Sequence, residues 1–273
     1  MAAEAAAEAY TRQTRGRSAG EISRTAALFS SMKYKIIKEA KFIERINRFV
    51  AKVELPGGEI TKVHVKNTGR CKELLLPGSR VYMEDFEGRM GTRRMQYSLI
   101  AVEKVIGQGD CSESILINMD SQAPNKVVQE ALADGRICLP GMSDLTLIKP
   151  ETKYGDSRFD FYVEAGDKRG FIEVKGVTLE EDGHARFPDA PTERGVKHIN
   201  ELISAHGEGY ESYILFVIQM DGAKDVAPNY VTHPRFGEAL AEAANAGVNI
   251  LAYDCLVTAD SLTINNPIPF QFS

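Results

Sequence analysis

The feature that most constrains this chain is SYILFVIQ, residues 212–219, where six apolar side chains follow one another without a break. A strand turns successive side chains to opposite faces, so such a run is stable only where both faces are covered. That predicts the central strand of a sheet with helices on either side, and the flanking sequence supplies them. NKVVQEALADG reads as a helix from Asn125 stopped by Gly135. Pro191 and Thr192 open a second helix that runs to about His206, with Val196, Ile199, Leu202 and Ile203 on its apolar side. Pro234 to Gly247 is an Ala-rich third. SRFDFYV, GFIEVKGV and VNILAYD read as further strands. Strands alternating with helices predict an α/β domain over residues 111–273.

The first half has a different rhythm. RFVAKVEL and ITKVHV alternate with period two, and Gly57-Gly58 between them marks a hairpin turn. Pro77-Gly78 marks another turn before RVYMED, and YSLIAVEKVI adds a further strand. Several short strands in about 75 residues predict a small β-barrel over residues 32–110. Gly107 to Ser114 reads as the linker. Residues 1–31 are Ala-rich without an apolar face or a secretion h-region, and read as a disordered or frayed extension. Met32 opens a fresh pattern and reads as an alternative start.

The formal net charge of −5 hides an asymmetry. Residues 33–110 carry 16 Lys and Arg against 10 Asp and Glu, whereas residues 111–273 carry 13 against 25. A basic module beside an acidic one suits phosphate binding next to carboxylates that hold cations, although solvated charge gives the same count. No apolar run reaches the roughly 18 residues needed to span a bilayer. The four cysteines, Cys71, Cys111, Cys138 and Cys255, contain no CxxC pair. A zinc site and a disulfide framework are therefore disfavoured, and reduced thiols in a cytoplasmic protein are expected.

Chemistry concentrates around GFIEVKGV. Glu173 and Lys175 stand two apart, so on a strand they share one face, while Val174 turns into the core and offers its carbonyl. Asp160 lies in SRFDFYV, and the turn EAGDKRG makes the two strands a hairpin that brings both carboxylates together. Hard carboxylate oxygens can hold Mg²⁺ (or Mn²⁺), which neutralises a phosphate and activates water, and a lysine beside them stabilises developing charge. E-x-K alone is also what a solvated ion pair on a surface strand gives. Its apolar surroundings favour a site, because charges in such strands are costly unless paired or metal-bound. Glu130 is a further candidate carboxylate for the metal. Arg194, Lys197 and His198, at i, i+3 and i+4, are expected to share a basic helix face that clamps phosphate. In the first half, the loop Asn67-Thr68-Gly69-Arg70, with Lys72, is expected to grip phosphate through backbone amides and Arg70. Phe49 and Tyr82 are candidates for base stacking.

These segments, above all VKNTGRCKELLLPG, SRFDFYV, IEVKGVTL and FPDAPTERGVKHINEL, resemble the sugar fermentation stimulation protein A family over about residues 34–267. The resemblance implies an N-terminal OB-fold joined to a restriction-endonuclease-like α/β domain of the PD-(D/E)xK kind. Asp160, Glu173 and Lys175 match that signature. Phe159 stands where its proline would be. It also implies non-specific DNA binding and a part in regulating sugar (maltose) metabolism. Cys71 and Cys111 look incidental to it. Two functions follow as expectations. One is a Mg²⁺-dependent nuclease acting on nucleic acid, DNA before RNA. The other is a DNA-binding regulator whose nuclease fold has little or no activity.

Overall fold

The computed structural model describes residues 32–67, 69–106 and 113–272. The expectations for residues 1–31, Thr68, Cys111 and most of the linker fall outside them. In chain order the strands are β1 (Met32–Lys33), β2 (Ile37–Asn47), β3 (Val50–Glu54), β4 (Ile60–Val65), β5 (Arg80–Asp85), β6 (Tyr97–Ile106) and β7 (Glu113–Asn118). Helix α1 (Ala123–Ala133) follows, then β8 (Leu147–Tyr154), β9 (Ser157–Ala165), β10 (Lys168–Val177), β11 (Leu179–Glu181) and β12 (His184–Phe187). The chain continues with α2 (Glu193–Gly207), β13 (Glu211–Ile218), β14 (Asp225–Pro228), α3 (Pro234–Asn245), β15 (Asn249–Thr258) and β16 (Ser261–Pro267).

Strands β2 to β7 form one sheet in the order β4-β3-β2-β5-β6-β7, and a parallel pairing of β4 with β6 closes it into a barrel. Gly57 and Gly58, with φ of 111° and 88°, make the β3–β4 turn in a conformation that side-chain-bearing residues avoid. The barrel extends past the expected boundary. β7 pairs with β6 from Ala101↔Asn118 to Ile106↔Glu113, so residues 113–118 belong to the first domain. Met32 and Lys33, expected in the barrel, pair instead with Leu262 and Ser261 on β16 of the second domain.

The second domain is a seven-stranded sheet, β1-β16-β15-β13-β10-β9-β8, with a small β11-β12-β14 sheet beside it. SYILFVIQ supplies β13, which lies between β10 and β15 and runs parallel to both. Ile214, Phe216 and Ile218 pack on one face with Ile199, Leu202, Phe236 and Leu240 from α2 and α3. Tyr213, Leu215 and Val217 pack on the other with Val127, Val128 and Ala131 of α1. Thr192 caps α2, its hydroxyl accepting from Gly195 N at 3.1 Å. β8 contains Pro150 and is tolerated because it is the edge strand.

Buried polar groups join the two domains. The Gln219 side-chain amide donates to Asn118 O and Oδ1, both at 3.0 Å, and to Asp120 O at 3.2 Å. Lys66 pairs with the buried Asp120 at 2.7 Å, and Lys104 with Glu180 at 2.5 Å. Gln219, the last residue of the apolar run, is thus a domain tie. Gln219→Ala should cost about 2–4 kcal/mol in urea unfolding, because it removes the donor to three buried acceptors. Breaking the exposed Arg158–Glu151 pair should shift stability by less than about 0.5 kcal/mol.

Candidate functional site

The β9–β10 ladder runs from Lys168↔Ala165 to Ile172↔Phe161 and then stops. One step further would stand Glu173 and Asp160. Here β9 departs from its partner. Phe161 packs on the α1 side of the sheet, whereas Phe159 packs on the α2 side, 5.2 Å from the Phe171 ring. The alternation therefore switches at Asp160. Its carboxylate takes the place of a strand partner, and Oδ2 accepts the Val174 N–H at 2.8 Å. The N–H and C=O of one strand residue point the same way. The Val174 carbonyl therefore faces the gap where the ladder ends, beside Asp160. Its side chain is buried on the α1 side, as expected. The other oxygen of Asp160, Oδ1, accepts from Asn125 of α1 at 2.7 Å.

Glu173 is 3% exposed. Its Oε1 accepts from Lys175 Nζ and from His198 Nδ1, each at 2.5 Å. Arg194 Nε donates to His198 Nε2 at 3.3 Å, which completes a chain from Arg194 through His198 to the carboxylate. Glu173 Oε2 is buried without a hydrogen-bond partner. Burial and the neighbouring Glu173 charge push the Asp160 carboxyl above the usual carboxylate range. Burial alone would raise Glu173 too, but the hydrogen bonds and charges of His198 and Lys175 outweigh it and hold its carboxyl below that range. Two adjacent carboxyls with proton affinities pushed apart are a common property of reacting sites.

Among the described residues no three His, Cys, Asp or Glu side chains converge as a ready-made cation cage. Two carboxylates and a carbonyl still fit Mg²⁺, which keeps several waters and takes only one or two protein carboxylates. The orphaned Oε2 of Glu173, buried where no protein donor reaches it, is the observation that matches a cation to this donor set.

Several expectations change. Glu130 is oriented to the Met32 backbone and Arg136, whose interactions oppose the effect of its burial, so it does not join the carboxylate pair. Asn125, five residues earlier on α1, is the helix residue that reaches Asp160. His198 is buried against Glu173 instead of facing phosphate. Lys197 is exposed and lies 3.7 Å from Glu201. The three do not act as one basic clamp, because Arg194 and His198 are bonded to each other towards Glu173 while Lys197 turns to solvent beside Glu201. Part of the backbone around Gly69 is also engaged. The Asn67, Gly69 and Arg70 carbonyls all accept from Arg45, and Gly69 N donates to Asn67 Oδ1. The Gly69 amide is thus committed to Asn67, while Arg70 and Lys72 are exposed. Of the stacking candidates, Phe49 is half exposed, and Tyr82 is packed on the core.

Comparison with known proteins agrees with this architecture. The N-terminal OB domain of SfsA matches residues 43–109, and the sugar fermentation stimulation protein RE domain matches residues 122–261. A sugar fermentation stimulation protein homolog of Clostridium beijerinckii is 52% identical over 235 residues, which are 86% of this chain and 97% of that protein. A homolog of Desulfitobacterium hafniense is 52% identical over 233 residues, 85% of this chain and 94% of its own length. The solved structure of Pyrococcus furiosus SfsA in complex with Ca²⁺ superposes with a TM-score of 0.75 at 26% identity, covering 89% of this chain and 99% of that one. The order of domains, the matched spans and the near-full coverage of these relatives place the chain in the sugar fermentation stimulation protein (SfsA) family.

Proposed function

We propose that this protein is a metal-dependent nuclease that hydrolyses phosphodiester bonds, with DNA as the first substrate to test. The observation that carries the reading is the buried Asp160–Glu173 pair, with an unpartnered Glu173 oxygen and Lys175 beside it. Two buried carboxylates would repel a phosphate unless a cation lay between. Asp160, Glu173 and the Val174 carbonyl would hold Mg²⁺ or Mn²⁺. The Pyrococcus furiosus relative is described with Ca²⁺, which prefers the same hard oxygen donors. Bound there, the cation would neutralise the scissile phosphate and lower the pKa of a coordinated water.

The chain's own residues do the rest. Lys175 holds its ammonium against Glu173 Oε1, where it orients the attacking water and stabilises charge on the phosphate. His198 fixes the Glu173 carboxylate, wedged at its other nitrogen by Arg194. Among the described residues the two Nη groups of Arg194 have no hydrogen-bond partner, which leaves them to engage a phosphate oxygen. Among the described residues no helix is long and apolar enough to cross a membrane, and Cys71 and Cys255 are free thiols. Both fit the proposed cytoplasmic setting.

The test is a panel of labelled single- and double-stranded DNA and RNA incubated with Mg²⁺ or Mn²⁺ and with EDTA. Cleavage should require the metal, and Lys175→Ala should slow it by about a hundredfold or more. Equal cleavage by that variant would remove Lys175 from the mechanism. Salt-sensitive binding without cleavage of any substrate would favour the non-specific DNA-binding regulator instead.

A further inference from the structure

A cleft of about 290 Å³ opens where the two domains meet, just beyond the carboxylate pair. Its floor is the carboxyl end of the parallel strands β10 and β13, at Gly176, Thr178 and Gln219, so it begins one residue past Lys175. In open α/β sheets this is where ligands bind. One wall is the barrel loop at Asn67 and Gly69, and the other is the Phe187–Thr192 segment that leads into α2. Two glycines hold the walls close. A β-carbon at Gly69 would stand 2.1 Å from Asp189 Oδ2, and one at Gly176 would stand 2.5 Å from Gln219 Oε1.

The one cationic side chain of the lining is already engaged. The Arg186 guanidinium lies 3.4 Å from Asp225 and donates to Ala185 O at 3.0 Å. Asp189 forms no ion pair among the described residues; its Oδ2 accepts from Cys71 Sγ at 4.0 Å, and it stands in the lining as an anionic acceptor. Gln219 spends its amide nitrogen on Asn118 and Asp120 and has only its oxygen left to offer. The site therefore presents acceptors, beside the apolar rings of Pro188 and Pro191. Its ligand must be uncharged or positive, rich in N–H donors, partly flat and apolar, and smaller than the usual drug-sized occupant.

We infer that this cleft receives one unstacked, amino-bearing nucleobase, guanine foremost, from the strand whose phosphate lies at Asp160, Glu173 and Lys175. The inference rests on the nucleic-acid reading above. Guanine carries two adjacent donors, N1–H and the N2 amino group, which a single carboxylate can accept together. Asp189 is the residue that reads them. The charge that attracts the strand lies elsewhere, on exposed Arg70 and Lys72. This divides the family's NTGR loop and FPDAPTERG segment into a phosphate-attracting rim and a base-selecting interior.

Fluorescence anisotropy of the full chain in Ca²⁺ tests this with labelled dT8, the same octamer with one central dG, and the same with inosine, which lacks the N2 amino group. The dG octamer should bind about tenfold more tightly than dT8, the scale of one good bidentate base contact. Inosine should lose much of that gain. Asp189→Asn should bring the dG-to-dT8 ratio close to one, whereas Arg70→Glu should weaken all three octamers and leave the ratio intact. Equal wild-type affinity for dT8 and the dG octamer overturns the subsite whatever the variants do. Cleavage of all octamers at one rate, with no base preference, would sink the subsite alone. No binding of any oligonucleotide would sink the nuclease reading with it.

Discussion

Glu173→Gln should lower metal-dependent cleavage by at least about a hundredfold and leave the protein folded, with an unchanged circular dichroism spectrum. The substitution is nearly isosteric. Gln Oε1 can still accept from His198 and Lys175, as Glu173 Oε1 does now. The change falls at the other atom. Oε2, buried and unpartnered, becomes an NH₂ group that carries partial positive charge and donates where a cation needs a donor oxygen. Lys175 also loses the carboxylate that it pairs with, so its ammonium is held at higher electrostatic cost. Activity therefore falls for two reasons, neither of which moves the backbone. A rate within a few-fold of wild type would mean that the reaction does not use this site. Loss of the folded spectrum would mean that Glu173 serves the structure first.

How much of this was legible depends on whether the signal was local. SYILFVIQ needed only its own side chains to declare a strand covered on both faces, and β13 lies between two parallel neighbours. Glu173 and Lys175 were legible as neighbours because strand periodicity sets them on one face, and Asp160 was brought near them by the β9–β10 hairpin, though the switch in alternation at that residue left no local sign. The misplacements have a common cause in partners far away in sequence. The loop around Gly69 was readable, but the Arg45 side chain that its carbonyls turn to, more than twenty residues earlier, was not. ESILIN could have paired in either domain, and only the β6 register decides it. Glu130 and Asn125 lie on one helix, and which of them meets Asp160 depends on how α1 seats on the sheet. His198 looked like one more basic residue on a helix. Its burial against Glu173 follows from α2 crossing β10 above the carboxylate, which no local pattern records.

Asp160→Asn should stabilise the metal-free protein at neutral pH and abolish its stabilisation by metal. The wild-type carboxyl is buried and faces Glu173, and both raise its proton affinity in the folded state. A carboxyl whose folded pKa lies above its unfolded value favours folding only while both states are protonated, and that contribution is lost as pH rises through the folded pKa. The ionised Asp160 is therefore a cost at neutral pH, and asparagine removes it. The hydrogen bonds can survive. Asparagine Oδ1 can keep the Val174 N–H, and its NH₂ can donate to Asn125 once that amide turns over. The melting temperature should rise by about 2–4 °C at pH 7, the shift that about 1 kcal/mol produces in a chain of this size. The gain should shrink towards zero below about pH 4, where the unfolded carboxyl is also protonated. Saturating Mn²⁺ or Ca²⁺ should reverse the order. A ligand at a hundred times its Kd stabilises the native state by about 2.7 kcal/mol, which the wild type gains and the variant, lacking one of the two anionic donors, does not. The crossing of the two melting curves separates a metal ligand from a merely strained carboxylate. If Asp160→Asn melts lower than wild type without metal, the hydrogen bonds to Val174 and Asn125 outweigh the repulsion. If metal stabilises both proteins equally, the cation sits elsewhere and the proposed site is wrong.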